Sequence, residues 1–104
     1  MTRLSFSAPA LRDLDTIHAY IAAENPARAQ AFIEHVRDRC RLLRSFPLMA
    51  RARPEFAHVD PAMRSIPVKP VTVFYRNVDE HRLVEILRVI DGRRDLGTIF
   101  PEDI

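Results

Sequence analysis

Tryptophan is absent from this 104-residue sequence, cysteine and lysine occur once each, and glycine only twice. Each shortage excludes something. The single cysteine, Cys40, rules out a disulfide framework within the chain. With only Gly92 and Gly97 there is no glycine-rich phosphate loop and no G-x-S-x-G elbow. The four histidines at positions 18, 35, 58 and 81 show no ligand spacing, so neither a metal site nor a cofactor is expected. No apolar run approaches a membrane span, and Met1 to Ser7 carry no export-type hydrophobic region. A protein of the reducing cytoplasm, with no membrane association, is the expectation.

What is present is arginine. Fifteen of the sixteen basic residues are arginine, Lys69 being the exception, although the formal net charge is only +2. Arg37, Arg39, Arg41, Arg44, Arg51 and Arg53 stand close together with Asp38 as the one acid among them. A guanidinium offers a planar fork suited to carboxylate or phosphate, so an acidic protein partner and nucleic acid both fit this composition. A solvated helix face fits it equally well.

The hydrophobic pattern outlines one domain spanning residues 1–104. Leu4 and Phe6 alternate with polar neighbours as in a short strand. Ser7 is placed to cap a helix with Pro9 in its first turn, and Leu11, Leu14, Ile17 and Ile21 mark its apolar stripe over residues 8–23. Asn25-Pro26 stops that helix and starts the next, whose stripe is Ala29, Phe32, Ile33, Val36, Cys40 and Leu43. So short a connection predicts an αα-hairpin. From residue 46 to 63 periodicity dissolves around Pro47, Pro54 and Pro61, a long irregular stretch for a compact domain. Strand-like runs follow at 64–68, interrupted by Pro67, at 71–76 and at 82–90. The order β-α-α-β-β-β predicts an α+β domain with the helix pair on one face of a four-stranded antiparallel sheet.

Two helices cover only one side of a sheet, yet the last strands are apolar on both sides. Val71, Val73 and Tyr75 alternate with Thr72, Phe74 and Arg76, and Leu83, Glu85, Leu87 and Val89 alternate with Val84, Ile86, Arg88 and Ile90. A large apolar face is seldom left bare. The 46–63 loop, the C-terminal tail or another protein must cover it. A partner would use the arginines on these strands, which pair readily with acids on a docked chain.

The densest polar cluster runs from Leu87 to Leu96 and contains Arg88, Arg93, Arg94, Asp91 and Asp95. Arginines at the end of a strand can bind a carboxylate or phosphate; they can equally pair with the two aspartates as a surface network of small effect. Cys40, on the apolar stripe, is expected to be a small core residue.

These elements together resemble a known family. The carriers are the initial strand followed by Ala10-Leu11-Arg12-Asp13-Leu14-Asp15-Thr16-Ile17, the Asn25-Pro26 start with Ala27-Arg28-Ala29, and Arg64-Ser65-Ile66-Pro67-Val68. Val73-Phe74-Tyr75-Arg76 and the run from Val84 to Asp95 complete the pattern. The chain is similar to the RelE/ParE toxin superfamily, specifically to the ParE-type plasmid-stabilisation proteins. The resemblance implies a toxin of a type II toxin–antitoxin system that inhibits DNA gyrase and is neutralised by a ParD-like antitoxin in a hetero-oligomer. It implies no sequence-specific nucleic-acid binding by the toxin alone. RelE-type relatives instead cut messenger RNA on the ribosome, which requires a base, an acid and cations around the phosphate. The positions where such nucleases carry a basic strand residue and a tail tyrosine or histidine correspond to Thr72 and Phe100. A non-enzymatic gyrase inhibitor is therefore expected. The alternatives are a RelE-type ribosome-dependent nuclease and a non-toxic relative that only binds antitoxin. Expected gyrase contacts are Arg93, Arg94, Asp95 and Phe100. Expected antitoxin contacts are Phe74, Arg76, Arg88, Arg64 and Tyr75, with the outer surface of the helix hairpin.

Overall fold

Side-chain caps set the first boundaries. The computed structural model describes residues 2–80, 82–92 and 99–100. β1 (Arg3–Phe6) ends at Ser7, whose Oγ accepts a hydrogen bond from the Ala10 amide at 3.1 Å and starts α1 (Ala8–Ala22). Asn25 caps α2 (Pro26–Ser45) in the same way, its Oδ1 accepting from the Arg28 amide at 3.0 Å. Such caps contribute about 1 kcal/mol each. Pro26 follows at the first helical position, where a missing N–H costs nothing.

The inward stripe of α2 is Ala29, Ile33, Val36, Cys40 and Leu43, all buried, with Phe32 half-buried beside it. On α1 the expected stripe shifts. Ala10 and Leu14 are the buried residues, while Leu11 is 43% exposed. Ala10 and Leu11 both sit at helical spacing from Leu14, and the close approach of α1 to the sheet selects the smaller one.

The sheet has five strands in the order β1-β5-β4-β3-β2, adding β2 (Arg51–Ala52), β3 (Met63–Val68), β4 (Val71–Val78) and β5 (Leu83–Asp91). Two expectations are corrected. The sheet is mixed, because β1 pairs with β5 in parallel. The 46–63 stretch is not wholly irregular, since it holds β2 and a single 3-10 turn at Pro54–Phe56. Pro67 is tolerated in β3 because it lies past the two β3 residues that β2 pairs, Arg64 and Ser65.

A register shift between Phe74 and Tyr75 leaves Leu87 as an extra residue in β5, since Phe74 faces Arg88 while Tyr75 faces Ile86. This bulge breaks strict alternation. Val84, Ile86 and Val89 all join the helix-side core, whereas Leu87 and Ile90 join the other side. The expected grouping of Val84, Ile86 and Ile90 on one face is corrected accordingly.

Of the three covers open to the second face, the loop and the tail are the ones that close it, and no partner is needed over Phe74. Phe56 from the 3-10 turn and Phe100 from the tail close over Phe74, Met63 and Ile90 to form a second core. The three phenylalanine rings meet at centroid separations of 5.1 to 6.0 Å. The seal is tied down by polar contacts. Arg53 lies over the rings of Phe56 and Phe74 and donates to Ser65 Oγ at 2.9 Å. Arg76 donates to Asp60 at 2.9 Å and to Glu85 at 3.0 Å. A hydrogen bond of 3.1 Å joins His58 Nε2 to the Phe100 carbonyl oxygen. The chain covers its own sheet.

Candidate protein-binding site

Of the five residues expected to receive an antitoxin, two are buried and three are half-buried with hydrogen-bond partners inside the chain. Phe74 and Tyr75 are fully buried. The Tyr75 hydroxyl donates to the Pro47 carbonyl at 2.9 Å, and burial raises its pKa against the pull of nearby Arg64. Arg64 donates to the Ala50 carbonyl at 2.7 Å and so holds the chain that follows α2. Arg76 clamps Asp60 and Glu85, and its hydrogen bond to Asp60 is the main reason its pKa is raised. Arg88 forks onto Asp13 of α1 at 2.8 and 2.9 Å, which raises its pKa in the same manner. Phe74 and Tyr75 thus leave no surface for a partner, whereas Arg64, Arg76 and Arg88 are half-buried and already engaged within the chain.

Of the expected gyrase contacts, Phe100 is buried against Phe56 and Phe74 and offers no surface anchor. Arg93, Arg94 and Asp95 lie outside the described residues.

Asp13 was not singled out by sequence, although it organises the junction of helix and sheet. Past Phe6, β5 has no β1 partner. Asp13 Oδ2 substitutes for one by accepting from the Val89 amide at 2.9 Å while it binds Arg88. Near this junction a groove of about 680 Å³ opens under the tip of the helix hairpin. Its walls are Ile17, Tyr20 and Ile21 of α1, Phe32 of α2, and Val71 and Val89 of the sheet. Asp13, Glu24, Arg28 and Asp91 supply charge around these apolar walls. Tyr20 is 76% exposed. An apolar cleft ringed by charge suits an amphipathic chain. The available sequence signal was the α1 stripe, which reaches Ile21 although the helix needs only Ala10, Leu14 and Ile17 to reach the core.

The model of the ParE toxin of the type II toxin–antitoxin system parDE matches residues 4–96. The chain belongs to this family. No curated protein matches it by sequence. A solved structure described as the chromosomal ParDE TA system from P. aeruginosa has the same fold: TM-score 0.70, 21% identity, 88% of this chain and 96% of that chain covered. In this ParE-family toxin, as the resemblance anticipated, a helix pair lies on a sheet in an α+β arrangement. Among the described residues no helix is long and apolar enough to cross a membrane, and no group of three or more His, Cys, Asp or Glu could hold a metal.

Thr72 is half-buried and has no proton to exchange near neutral pH. Tyr75 is enclosed, with its hydroxyl committed to a backbone oxygen. Cys40 is buried in the helix-side core, and burial pushes its thiol up to about 12, the opposite of what a nucleophile needs.

Proposed function

We propose that this ParE-type toxin acts by binding rather than by breaking bonds: it inhibits DNA gyrase in the cytoplasm and is held inactive by a ParD-like antitoxin. One observation carries the reading. The face of the sheet that an RNA-cleaving site would need open, with base, acid and cations around a phosphate, is filled by Phe56, Phe74 and Phe100. The arginines beside it are bound to Asp60, Glu85 and Ser65. Family membership supports the target and the antitoxin. The groove under the hairpin is the antitoxin's seat, because its apolar walls and mixed charges match a short amphipathic segment.

Purified toxin should stop supercoiling by gyrase while leaving messenger RNA whole in a translating extract. Cleaved messenger with unaffected gyrase would reverse the assignment. Tyr20→Ala combined with Phe32→Ala should remain toxic while escaping the antitoxin encoded beside it. Harmless expression in a host without the antitoxin would instead indicate a relative that has kept only antitoxin binding.

A further inference from the structure

Hydrogen bonds tie α1 to the sheet only near its start. The Ser7 amide donates to the Ile86 carbonyl at 2.9 Å, and Ser7 Oγ donates to that of Leu87 at 2.9 Å. Asp13 adds a further tie, its two carboxylate oxygens accepting from the Arg88 guanidinium and the Val89 amide. Among the described residues, it is the last of α1 to hydrogen-bond the sheet. Past that point α1 packs on α2 but carries Ile17, Tyr20 and Ile21 over the groove, whose floor is Val71 and Val89. Tyr20 lies seven residues beyond Asp13, about 10 Å along the axis. A small tilt at the anchor therefore becomes a larger displacement at the groove.

An open apolar cleft is unfavourable in water. Settling of α1 toward the sheet would bury Ile17 and Ile21, both half-buried, against Val71 and Val89. The Asp13–Arg88 pair is built to oppose that collapse. A planar guanidinium forked onto a carboxylate fixes direction as well as distance, and both side chains are shielded enough for salt to screen them little. We propose that Asp13 and Arg88 form a strut that holds the groove open before the antitoxin arrives. Arg88 is then a positioning residue for a partner it does not touch, an inference that rests on the groove being the antitoxin's seat. Asp13 lines the groove, whereas Arg88 stands behind its wall. Without the fork the open arrangement becomes a minority state, and the antitoxin binds only the molecules that have it. Association slows in proportion, while dissociation of the formed complex hardly changes. A side chain in direct contact behaves the other way, because losing a contact acts mainly on dissociation.

The test is the kinetics of binding between the whole toxin and the antitoxin encoded beside it. Arg88→Gln should slow association about tenfold, the effect of an open fraction of about 0.1, and leave dissociation within about twofold. Arg88→Lys keeps the charge without the fork and should recover only part of the lost rate. It also carries the comparison if Arg88→Gln does not fold, which circular dichroism checks for every variant. Arg76→Gln removes a comparable ion pair on the other face of the sheet and should leave both rates unchanged. Tyr20→Ala with Phe32→Ala, which strips the groove's own walls, should speed dissociation. Unchanged kinetics in Arg88→Gln, faster dissociation in it, full recovery by lysine, or equal slowing in Arg76→Gln would overturn the proposal. Normal binding by the Tyr20 and Phe32 variant would remove the groove as the seat, and the strut's part in binding with it. Faster dissociation in that variant beside an unaffected Arg88→Gln would leave the seat standing and sink the strut alone.

Discussion

The two faces of the sheet are closed by different means. On one, aliphatic residues of β3, β4 and β5 meet the regular stripes of α1 and α2. On the other, three phenylalanines, Met63 and Ile90 form a smaller core supplied in part by a 3-10 turn and the tail. The helix face draws on periodic surfaces that are preformed once the helices exist. The second face has no such surface, so it relies on large rings, which bury much area per residue, and on Arg53, Arg76 and His58 to anchor the irregular chain that carries them. Arginines that suggested an external acidic partner therefore bind internal acids and carbonyls. Irregular chain covers a sheet only when polar side chains hold its backbone.

The sharpest challenge to this contrast is Phe74→Ala. Phe74 belongs to β4 and cannot move to fill the gap, so the loss should reach about 3–5 kcal/mol in denaturant unfolding. Phe56→Ala, on a loop able to settle inward, should cost about 2 kcal/mol or less and should speed amide exchange around the 3-10 turn while α2 stays protected. Equal costs would mean that the second face is no less rigid than the first.

Alkali should attack the helix face. Burial raises the pKa of Cys40 from its ordinary value near 9 to about 12 and raises that of Tyr75. Both groups are neutral when protonated and ionise more readily once unfolded. Their contribution is therefore complete below pH 9 and falls as pH rises toward 12. By about pH 11 Cys40 alone should remove about 2–3 kcal/mol. Cys40→Ala should flatten the alkaline limb of a plot of Tm against pH, and an unchanged limb would remove the thiol from the account.

The arginines of the two faces should rank by exposure. Arg88 and Asp13 have side chains 25% and 11% exposed, so Arg88→Ala should cost about 2 kcal/mol. Arg76 is 36% exposed and better solvated, and Arg76→Ala should cost about 1 kcal/mol. The smallest effect serves as a control on both faces. Asp79 and Glu80 in the β4–β5 turn have φ of 55°, a region costly for side chains other than glycine. Glu80→Gly should stabilise by about 0.5–1 kcal/mol, with loop and helix probes shifting together because both faces share the hairpin.

Local chemistry was legible along the chain. Ser7 and Asn25 announce their helices because a short polar side chain one or two positions ahead of a proline satisfies amides that a helix start leaves open. Ile33, Val36, Cys40 and Leu43 repeat at the helical period, so α2 and its buried side needed no coordinates. The element order and the family pattern likewise survive in the linear text. Tertiary structure alone decided the rest. The parallel pairing of β1 with β5 joins distant segments, and no local pattern encodes it. The Leu87 bulge reverses side-chain faces by one position, which alternation cannot anticipate. Phe56 and Phe100 carry no periodic mark, so their meeting over Phe74 emerges only when loop and tail are brought to the same place. The groove beneath the hairpin exists because α1 continues beyond the point where β1 stops. An apolar residue in sequence states that it must leave water; which neighbour removes it from water is a property of the folded chain.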